Sequence, residues 1–507
     1  MIFDFVETIF TTSSGTITVA LLTILASLIY WNVRRPSGMP PGPTGLPILG
    51  NLLDFGDKPP YVTFKEMTKK YGNVFSVKMG QRWMVVLNQI DIVKDALVRK
   101  PDEFAGRPDL YSLAILSENR KNIVISDYSV SWKLHRRKLS HSAIRNFATG
   151  KKLESIVHEV TELIGKRIDE QHGKPIDPKQ VVCLGIYTML GRLCFAHKYE
   201  LDDPRITWFV RLSRETLEAL GVGMPADFFP VLRFLPTGIR KLKQLLEESF
   251  NFLCDELKLH RESFDPCNIR DIFDSLLLAQ KETIDEGSDL VESLTDTHLV
   301  GTVGDIFGAG TDTTIVTLHW TLAIMAEYPD IQKKVAMEIE EVVGHERLCS
   351  LEDRGRLPYT EATTMEVLRF SSISPLGVHA TTCDVMLDDF QIPKDTMVSI
   401  NHYALHFDEE IWDKPKLFKP EHFLDDSGSV RQHPNSFLPF SAGRRSCLGE
   451  SLAKAELFLI FTWFVQNYEI SKAPGDKVES LLGRIKSGPS VVRELDPYEV
   501  IMKRRTY

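Results

Sequence analysis

The most informative segment of the sequence lies near the C-terminus, where residues 437–461 read FLPFSAGRRSCLGESLAKAELFLIF. Five of its residues stand at fixed spacing directly before a strongly apolar helix pattern: Phe440, Gly443, Arg445, Cys447 and Gly449. A single buried cysteine is usually a small apolar side chain in a core. Here the cysteine lies between a glycine turn, two arginines and a helix start, and these neighbours favour the thiolate over the thiol. The glycines let backbone N–H groups approach the sulfur, so the pattern predicts a stabilised thiolate.

This spacing, F-x-x-G-x-R-x-C-x-G, resembles the haem-binding loop of the cytochrome P-450 superfamily, whose cysteine thiolate is the axial ligand of the haem iron. Two further segments agree with that family in the expected order. Glu366 and Arg369 in EVLR match its E-x-x-R helix, and PEHF matches its P-E-R-F segment with His422 in place of arginine. Such a Glu–Arg pair on an exposed helix is worth only about 0.2 to 0.5 kcal/mol. Because the pair stands among the other family motifs, we expect a buried structural network instead, in which His422 donates to Glu366.

The resemblance implies a haem b cofactor (iron protoporphyrin IX) with Cys447 as the iron ligand. Trp132 and Arg136 in WKLHR match the family's W-x-x-x-R, whose two side chains donate hydrogen bonds to a haem propionate. Arg445 is expected to be a further propionate partner. His379 is a weaker candidate, because the family usually has proline directly before this basic residue and this chain has valine. An ordinary loop histidine is the alternative for His379.

An apolar pattern of period 3.6 runs through HLVGTVGDIFGAGTDTTIVTLHWTLAIMAEY. It predicts a helix from the caps Thr295 and Asp296 to just before Pro329, about 30 residues and about 45 Å long. The centre is unusual, because each glycine in a helix costs about 1 kcal/mol relative to alanine. The glycines are Gly301, Gly304, Gly308 and Gly310. Two explanations are open: close packing of another helix, or a flat ligand on the helix with threonine hydroxyls loosening its backbone bonds.

Within this helix, AGTDTT at residues 309–314 resembles the oxygen-activation segment of the cytochrome P-450 superfamily, which favours the ligand explanation. The resemblance implies that Ala309 lies against the haem. Reduction of bound dioxygen needs protons delivered into a dry pocket, and an acid beside an alcohol can supply them. We therefore expect Thr313 to hold a water or the reduced dioxygen, and Asp312 to relay protons from solvent.

The N-terminus predicts a membrane anchor. Residues 15–33, GTITVALLTILASLIYWNV, form 19 residues without a formal charge, just long enough to cross a hydrocarbon core of about 30 Å. Acidic residues precede this stretch and Arg34 and Arg35 follow it, so the positive-inside rule leaves the body of the chain in the cytosol. We predict an uncleaved single-pass anchor in residues 1–38, then a proline-rich strut leading into a haem-binding catalytic domain over residues 39–507.

The body of the chain shows no internal repeat or low-complexity tract, so we predict one domain that is mainly α with small β-sheets. Period-two apolar runs predict a strand pair at NVFSVKMG and RWMVVLN, with further strands around 385–392 and 397–400. Period-3.6 runs predict helices in LESIVHEVTELIGKRI, RKLKQLLEESFNFLCDELKL and AELFLIFTWFVQNY.

Composition narrows the class of protein. The 507 residues carry 60 Lys plus Arg and 69 Asp plus Glu, a net charge of -9, which argues against a nucleic-acid binder. The seven cysteines are dispersed without a C-x-x-C pair, which favours a reducing compartment for the body of the chain.

Together the motifs imply a haem-thiolate monooxygenase that inserts one oxygen atom of dioxygen into a lipophilic substrate. The sequence has no Rossmann fingerprint or flavin motif, so the electrons come from outside. The anchor resembles that of microsomal members, which implies NADPH-cytochrome P-450 reductase of the endoplasmic reticulum membrane as donor, with cytochrome b5 as a further candidate. A basic segment is suited to steer an acidic partner, an exposed helix face being the alternative. It consists of Lys133, Arg136, Arg137 and Lys138.

Three short sequence segments resemble the group that contains steroid 17-alpha-hydroxylase/17,20-lyase and its xenobiotic-metabolising relatives. These are GDIFGAG at 304–310, LHRR at 134–137 and ALH at 404–406. We expect a steroid-like substrate first, with terpenoids, fatty acids and foreign compounds as alternatives. Ala219 counts against a steroid, because steroid 17-alpha-hydroxylases place an asparagine there.

The sequence also gives expectations for the substrate contacts and for two histidines. Ile306, Ala309 and the loop from Tyr111 to Ile125 are expected to touch the substrate. His402 and His406 are spaced for a metal, but no third ligand is evident, so we interpret them as structural.

Two other functions are compatible with the same haem site. One is a haem-thiolate enzyme that rearranges or dehydrates peroxides without dioxygen or a reductase. The other is a membrane-tethered haem-binding or sterol-binding protein without turnover. Asp312 and Thr313 argue against both, and consumption of NADPH with a lipophilic substrate distinguishes them from a monooxygenase.

Overall fold

The computed structural model describes residues 13–117, 121–136, 144, 150–200, 203–220, 224–234, 238–287, 294–476, 480–486 and 492–506. The described α-helices are α1 (Ser13–Val33), α2 (Pro60–Tyr71), α3 (Ile90–Lys94), α4 (Tyr111–Leu116), α5 (Val130–Leu134), α6 (Lys151–Asp169), α7 (Pro178–Phe195), α8 (Pro204–Leu220), α9 (Pro225–Phe228), α10 (Ile239–Glu262), α11 (Ile272–Asp285), α12 (Asp296–Glu327), α13 (Pro329–Val342), α14 (Pro358–Ser371), α15 (His402–His406) and α16 (Glu450–Asn467). The strands are β1 (Val74–Met79), β2 (Arg82–Leu87), β3 (Leu376–Ala380), β4 (Val385–Leu387), β5 (Phe390–Ile392), β6 (Met397–Asn401), β7 (Tyr468–Lys472) and β8 (Val500–Arg504). The fold is mainly helical with small sheets, as predicted.

The largest sheet has the strand order β1-β2-β6-β3. β1 and β2 form the predicted antiparallel pair, with Phe75 opposite Val86. β6 pairs with β2 in parallel, and β3 pairs with β6 in the antiparallel sense, with His379 opposite Val398. The strands predicted around 385–392 form the hairpin of β4 and β5. The parallel pairing joins the N-terminal strands to a segment some 300 residues later, and this places β3 beside the candidate site.

Helix α12 is the centre of the core. It runs for 32 residues from the predicted start at Asp296 to Glu327, just before Pro329, with Thr295 as N-cap residue. It packs against α7, α10 and α16, and Trp320 in its second half is fully buried. The side chains that pack against α12 therefore come from widely separated parts of the chain.

The glycines of α12 mainly make room for neighbouring segments. A Cβ atom at Gly304 would lie 3.0 Å from the Leu253 side chain, and one at Gly310 would lie 3.2 Å from the Leu190 side chain. Gly301 faces the backbone of residues 121–122 at 3.3 Å. The expectation that a ligand explains these glycines is wrong for Gly301 and Gly304, which allow close packing, and Gly310 serves a helix contact as well as the cavity described below.

The N-terminal helix α1 precedes an extended strut. The large apolar side chains of α1 are exposed: Ile17, Leu21, Leu22, Ile24, Leu25, Leu28, Ile29, Tyr30 and Trp31. Across the described part of the chain, no helix combines the length and the apolar character needed to cross a membrane. The strut is non-helical, as predicted, and runs beside β1, where the carbonyls of Pro40 and Pro41 each accept a hydrogen bond of 2.7 Å from Ser76. A Cβ atom at Gly42 would overlap the Ser76 carbonyl, so this contact requires glycine.

The predicted Glu–Arg network is present and fully buried. The Arg369 guanidinium donates from Nε and Nη2 to the two carboxylate oxygens of Glu366, both at 2.7 Å. His422 Nδ1 lies 3.1 Å from Glu366 Oε1, and its Nε2 lies 2.6 Å from the carbonyl oxygen of Asp413. His422 thus stands where the family pattern has arginine and contacts the same partner, Glu366.

Arg369→Met is expected to lower the free energy of unfolding by about 3 to 5 kcal/mol, because it leaves the buried Glu366 carboxylate without its main partner. Denaturant-induced unfolding measures the loss. The control is Arg354→Met, which removes a partly exposed ion pair of 2.9 Å with Glu361 and should cost at most about 1 kcal/mol. Equal losses in the two variants would contradict a special role for the buried network.

Candidate active site

A cavity of about 390 Å³ lies between the centre of α12 and the loop that carries Cys447. Ala309 and Thr313 line it from α12, and Cys447 lines it from the loop. Strand β3 contributes a third wall with Val378 and His379. The cavity therefore joins the two sequence segments that carry the family resemblance.

The loop that holds Cys447 is shaped by its backbone. Gly443 has a φ of +73°, and a Cβ atom there would overlap the Leu97 carbonyl. The backbone N–H of Cys447 donates to the Phe440 carbonyl at 2.8 Å. The Cys447 side chain is exposed, and because it lines the cavity this exposure is toward the cavity. The motif residues thus close a tight turn that presents the sulfur to the interior space.

Burial raises the pKa of the Cys447 thiol, while the N–H of Gly449 and the charge of Arg136 act in the opposite direction. The sequence predicted that its neighbours would favour the thiolate. Of those neighbours the Gly449 N–H acts as predicted, but the arginine that helps is Arg136 rather than the adjacent Arg444 and Arg445, and desolvation by the surrounding protein outweighs both effects. A coordinating metal cation reverses this balance, because it deprotonates a ligating thiol outright.

Three arginines converge on one side of the cavity: Arg107, Arg136 and Arg445. Burial lowers the pKa of Arg445 to about 8 and that of Arg107 to about 10, and repulsion among the three guanidinium groups adds to both shifts. Burial also lowers the pKa of Arg136, which the charge of Cys447 opposes. This side of the cavity is therefore strongly attractive to an anion.

The predicted propionate donors are present but bonded within the protein. Arg445 donates to the carbonyls of Ala105 at 2.7 Å and Ser126 at 2.6 Å, and its guanidinium lies 4.1 Å from the centroid of the Trp132 ring. The Trp132 indole N–H donates to the Ile123 carbonyl at 2.8 Å. Trp132 thus fixes the position of Arg445 by stacking, and its own N–H is already used.

His379 is buried in β3 and its Nδ1 lies 3.0 Å from the carbonyl oxygen of Phe104. Nδ1 must carry the proton of this bond. Burial, with repulsion from Arg107, lowers the pKa of His379 to about 3, so the ring is neutral and its Nε2 is an acceptor. In this form His379 has no N–H left to offer a carboxylate.

Sequence reasoning missed Arg107. Its Nε donates to the Val124 carbonyl at 2.8 Å, and the preceding Gly106 pairs with Ala380 at the end of β3 in an isolated β-bridge. A Cβ atom at Gly106 would lie 2.6 Å from the Ala380 carbonyl oxygen. A lone arginine before a proline carries no local signal, and the pairing with β3 is what brings it to the cavity.

The two predicted catalytic residues lie on different faces of α12. Thr313 lines the cavity, and its hydroxyl donates to the Ala309 carbonyl at 2.8 Å. Asp312 lies outside the cavity lining and accepts hydrogen bonds of 2.6 and 2.8 Å from the Ser213 hydroxyl of α8. Burial raises the pKa of Asp312, and the bond from Ser213 opposes the shift. Ser213, 99 residues away in the chain, was not predicted.

A second acid on α12, Asp305, lines the cavity and was also missed. It accepts hydrogen bonds from the backbone N–H groups of Ile123 at 2.6 Å and Val124 at 2.8 Å, and from Asn122 Nδ2 at 2.9 Å. Burial raises its pKa to about 6, against these bonds and the charge of Arg107. Asp305 therefore holds the 122–124 segment against α12.

The expected substrate contacts are brought together only in part. Ile306, Ala309, Ile123 and Val124 line the cavity, whereas Tyr111 packs with Ala219 in a separate apolar cluster.

The remaining sequence-predicted residues are two histidines and a basic segment. His402 and His406 also line the cavity. His402 Nδ1 lies 3.2 Å from the Ser374 carbonyl oxygen, and His406 Nδ1 lies 3.0 Å from the Ser372 hydroxyl. Of the basic segment, Lys133 stacks on Tyr128, while Arg137 and Lys138 lie outside the described residues.

Comparison with known proteins identifies the fold family. The family model named Cytochrome P450 matches residues 40–502. The chain belongs to the cytochrome P450 family. Among its relatives are a "Cytochrome P450 1A1" of Chelon auratus, 34% identical over 91% of each chain, and a "Steroid 17-alpha-hydroxylase/17,20 lyase" of Rana dybowskii, 34% identical over 95% of this chain and 92% of the relative. A protein with the latter name from Oryzias latipes is 36% identical over 92% of each chain.

Membership in the P450 family makes the chain a haem-thiolate oxidoreductase of the monooxygenase type, with a lipophilic substrate and an external redox partner. The residues present fit a haem. One wall offers the Cys447 sulfur to the cavity. On the arginine side, the described hydrogen bonds of the three guanidinium groups run to backbone carbonyls and to Ser446, and the charges of Asp305 and Asp127 act on Arg107 and Arg445. A flat ligand with an iron centre and two carboxylates would offer the iron to the Cys447 sulfur and the carboxylates to the guanidinium groups.

The raised pKa of Asp305 predicts a pH-dependent stability. Because its folded-state pKa of about 6 exceeds the ordinary 3.8, the contribution of the protonated carboxyl is complete below about pH 4 and is lost as the pH rises through about 6. The shift corresponds to a free energy on the order of 3 kcal/mol. Asp305→Asn should therefore gain stability relative to the unmodified protein as the pH rises from about 4 to about 7, measured by denaturant unfolding across that range. Parallel profiles for the two proteins would contradict this assignment.

Proposed function

We propose that this protein is a membrane-anchored monooxygenase that hydroxylates a lipophilic, steroid-like substrate, with electrons from NADPH through a membrane reductase. The observation that carries the proposal is the placement of Cys447 and Thr313 on opposite walls of one cavity with three arginines at its side. Haem b, when bound, supplies the binding and reductive activation of dioxygen. The protein's own residues bind, orient and supply protons.

Cys447 would ligate the iron, and the tight turn at Gly443 keeps its sulfur pointed into the cavity. Arg107, Arg136 and Arg445 would hold the haem carboxylates. Since burial and mutual repulsion already destabilise their charged forms, a bound carboxylate relieves a cost that the protein otherwise carries. We assign Trp132 a positioning role under Arg445, and we leave His379 as a neutral wall residue.

Thr313 is the residue that meets the reacting side of the cavity. Its hydroxyl donates to Ala309, which leaves its oxygen free to accept a hydrogen bond from a water. Asp312 exchanges protons through Ser213 on the outer face of α12. For a proton from Asp312 to reach the cavity, a water molecule would accept it and pass a proton to the Thr313 hydroxyl, which would break its bond to the Ala309 carbonyl and give its own proton to cavity water; Asp312 would regain a proton through Ser213.

Residues 1–38 are proposed as a single-pass anchor in the endoplasmic reticulum membrane, with residues 39–507 as the cytosolic catalytic unit. The exposed apolar side chains of α1 support this, as do Tyr30 and Trp31, whose rings lie 5.9 and 5.5 Å from the Arg34 guanidinium in the arrangement typical of an interface. NADPH-cytochrome P-450 reductase is the proposed donor, and cytochrome b5 a second partner. The basic segment that contains the exposed Lys133 is the proposed docking side for these partners.

The steroid preference rests on the apolar lining from Ile123, Val124, Ile306 and Val378 and on the relatives named for steroid hydroxylation. Relatives named Cytochrome P450 1A1 match equally well, so foreign aromatic compounds form the second candidate class.

Cys447→Ser is expected to abolish the long-wavelength Soret band of the reduced carbon-monoxide complex, because that band requires a thiolate ligand. The spectrum is recorded on membrane-expressed, haem-loaded protein. Cys383→Ser, a change at an exposed cysteine of the same chain, should keep the band in full. Retention of the band in the Cys447 variant would overturn the ligand assignment.

Titration of the haem-loaded protein with progesterone and pregnenolone is expected to produce a spin-state shift in the Soret region, because an apolar substrate displaces water from the cavity. A set of flat aromatic foreign compounds is titrated in parallel. A shift with the aromatic set alone would replace the steroid class by the second one. Consumption of NADPH with reductase and the responding ligand separates a monooxygenase from a peroxide isomerase and from a binding protein.

A further inference from the structure

Glu456 is an acid that none of the functions above uses. It lies on α16, nine residues after Cys447, and is 1% exposed. It lines the same cavity as Cys447 and Thr313. Its Oε1 atom is buried and has no hydrogen-bond partner among the described residues.

The surroundings of Glu456 keep it uncharged. Burial raises its pKa to about 8, while a hydrogen bond with the Thr314 side chain of α12 acts in the opposite direction. Glu456 also acts electrostatically on Cys194 of α7, a fully buried thiol whose own pKa is raised, so that group is neutral as well. At neutral pH the group is therefore mainly a carboxylic acid that carries a proton.

A purely structural role explains this residue poorly. An unpaired buried polar atom costs about 1 to 3 kcal/mol, and leucine or methionine would fill the same space without that cost. The cost is offset where the free oxygen meets a water or ligand in the cavity. Polar groups retained against stability in this way are concentrated at functional sites.

We propose that Glu456 is a second proton-holding residue of the site, which acts through Thr314 on water in the cavity from the side opposite to Asp312. The inference rests on the proposed function. The carboxyl O–H bond of Glu456 breaks as its proton passes to the Thr314 hydroxyl, whose own proton passes to cavity water. The carboxylate regains one proton from solvent, and no electron is transferred.

The first test is infrared difference spectroscopy of Glu456→Gln against the unmodified protein. We expect the unmodified protein at neutral pH to show the carbonyl band of a protonated carboxylic acid, which moves on deuterium exchange and is absent from the variant. Thr314→Val should shift this band by removing its hydrogen bond, and Thr314→Ser should restore its position. Absence of the band at neutral pH would overturn the proposal, and this measurement holds whether or not haem chemistry is as proposed.

The second test compares product formed per NADPH consumed in haem-loaded protein. Glu456→Gln keeps the shape of the side chain but cannot ionise, so coupling should fall at least roughly tenfold, in the range typical for a general acid. The control is Glu469→Gln on β7, the same change at an exposed position, and it should leave coupling unchanged. A normal thiolate spectrum with unchanged coupling in Glu456→Gln would overturn the role of Glu456 and leave the monooxygenase standing.

Discussion

The packing of α12 through the middle of the core is the constraint on which the rest of the site depends. A helix turns about 100° per residue, so residues four apart share a face and adjacent residues do not. Asp305, Ala309 and Thr313 accordingly lie along the cavity, while Asp312 is turned to Ser213 on α8. Thr314 is turned the other way and reaches Glu456 on α16. One helix thus places Asp305 and Thr313 along the cavity, Asp312 against Ser213 of α8, and Thr314 against Glu456 of α16.

Local features of this arrangement were predictable from the sequence. The bounds of α12 follow from its caps and from Pro329, the β1–β2 pair follows from its alternation, and the Glu366–Arg369 network follows from the motif. Each of these depends on residues close together in the chain. The face on which Asp312 lies was also implicit in the helical period, although the adjacent acid and alcohol were taken together as one catalytic pair.

What was missed depends on contacts between distant segments. Arg107 reaches the cavity because Gly106 pairs with Ala380, some 270 residues away. Asp305 is significant because it holds backbone N–H groups of the 122–124 segment, and Glu456 because a turn of α16 faces Thr314. A single arginine or glutamate has no distinguishing pattern of its own, and an acid in an apolar helix run resembles an ordinary solvent-facing position until the packing is known.

The charges around the cavity are arranged so that one kind of ligand completes them. Burial favours the uncharged form of these ionisable groups. It lowers the pKa values of Arg107 and Arg445 and raises those of Asp305 and Glu456. At neutral pH Glu456 therefore holds its proton, whereas the guanidinium groups are the stronger bases and stay charged. A buried cation is costly, so carboxylates of a bound ligand would stabilise the three guanidinium groups in addition to the charges of Asp305 and Asp127. The Cys447 thiol and the neutral carboxyl of Glu456 are suited to a metal and to proton exchange. Because the thiol and the three guanidinium groups lie at different places in the cavity lining, they would fix the orientation of a carboxylate-bearing haem independently of the substrate that lies against it.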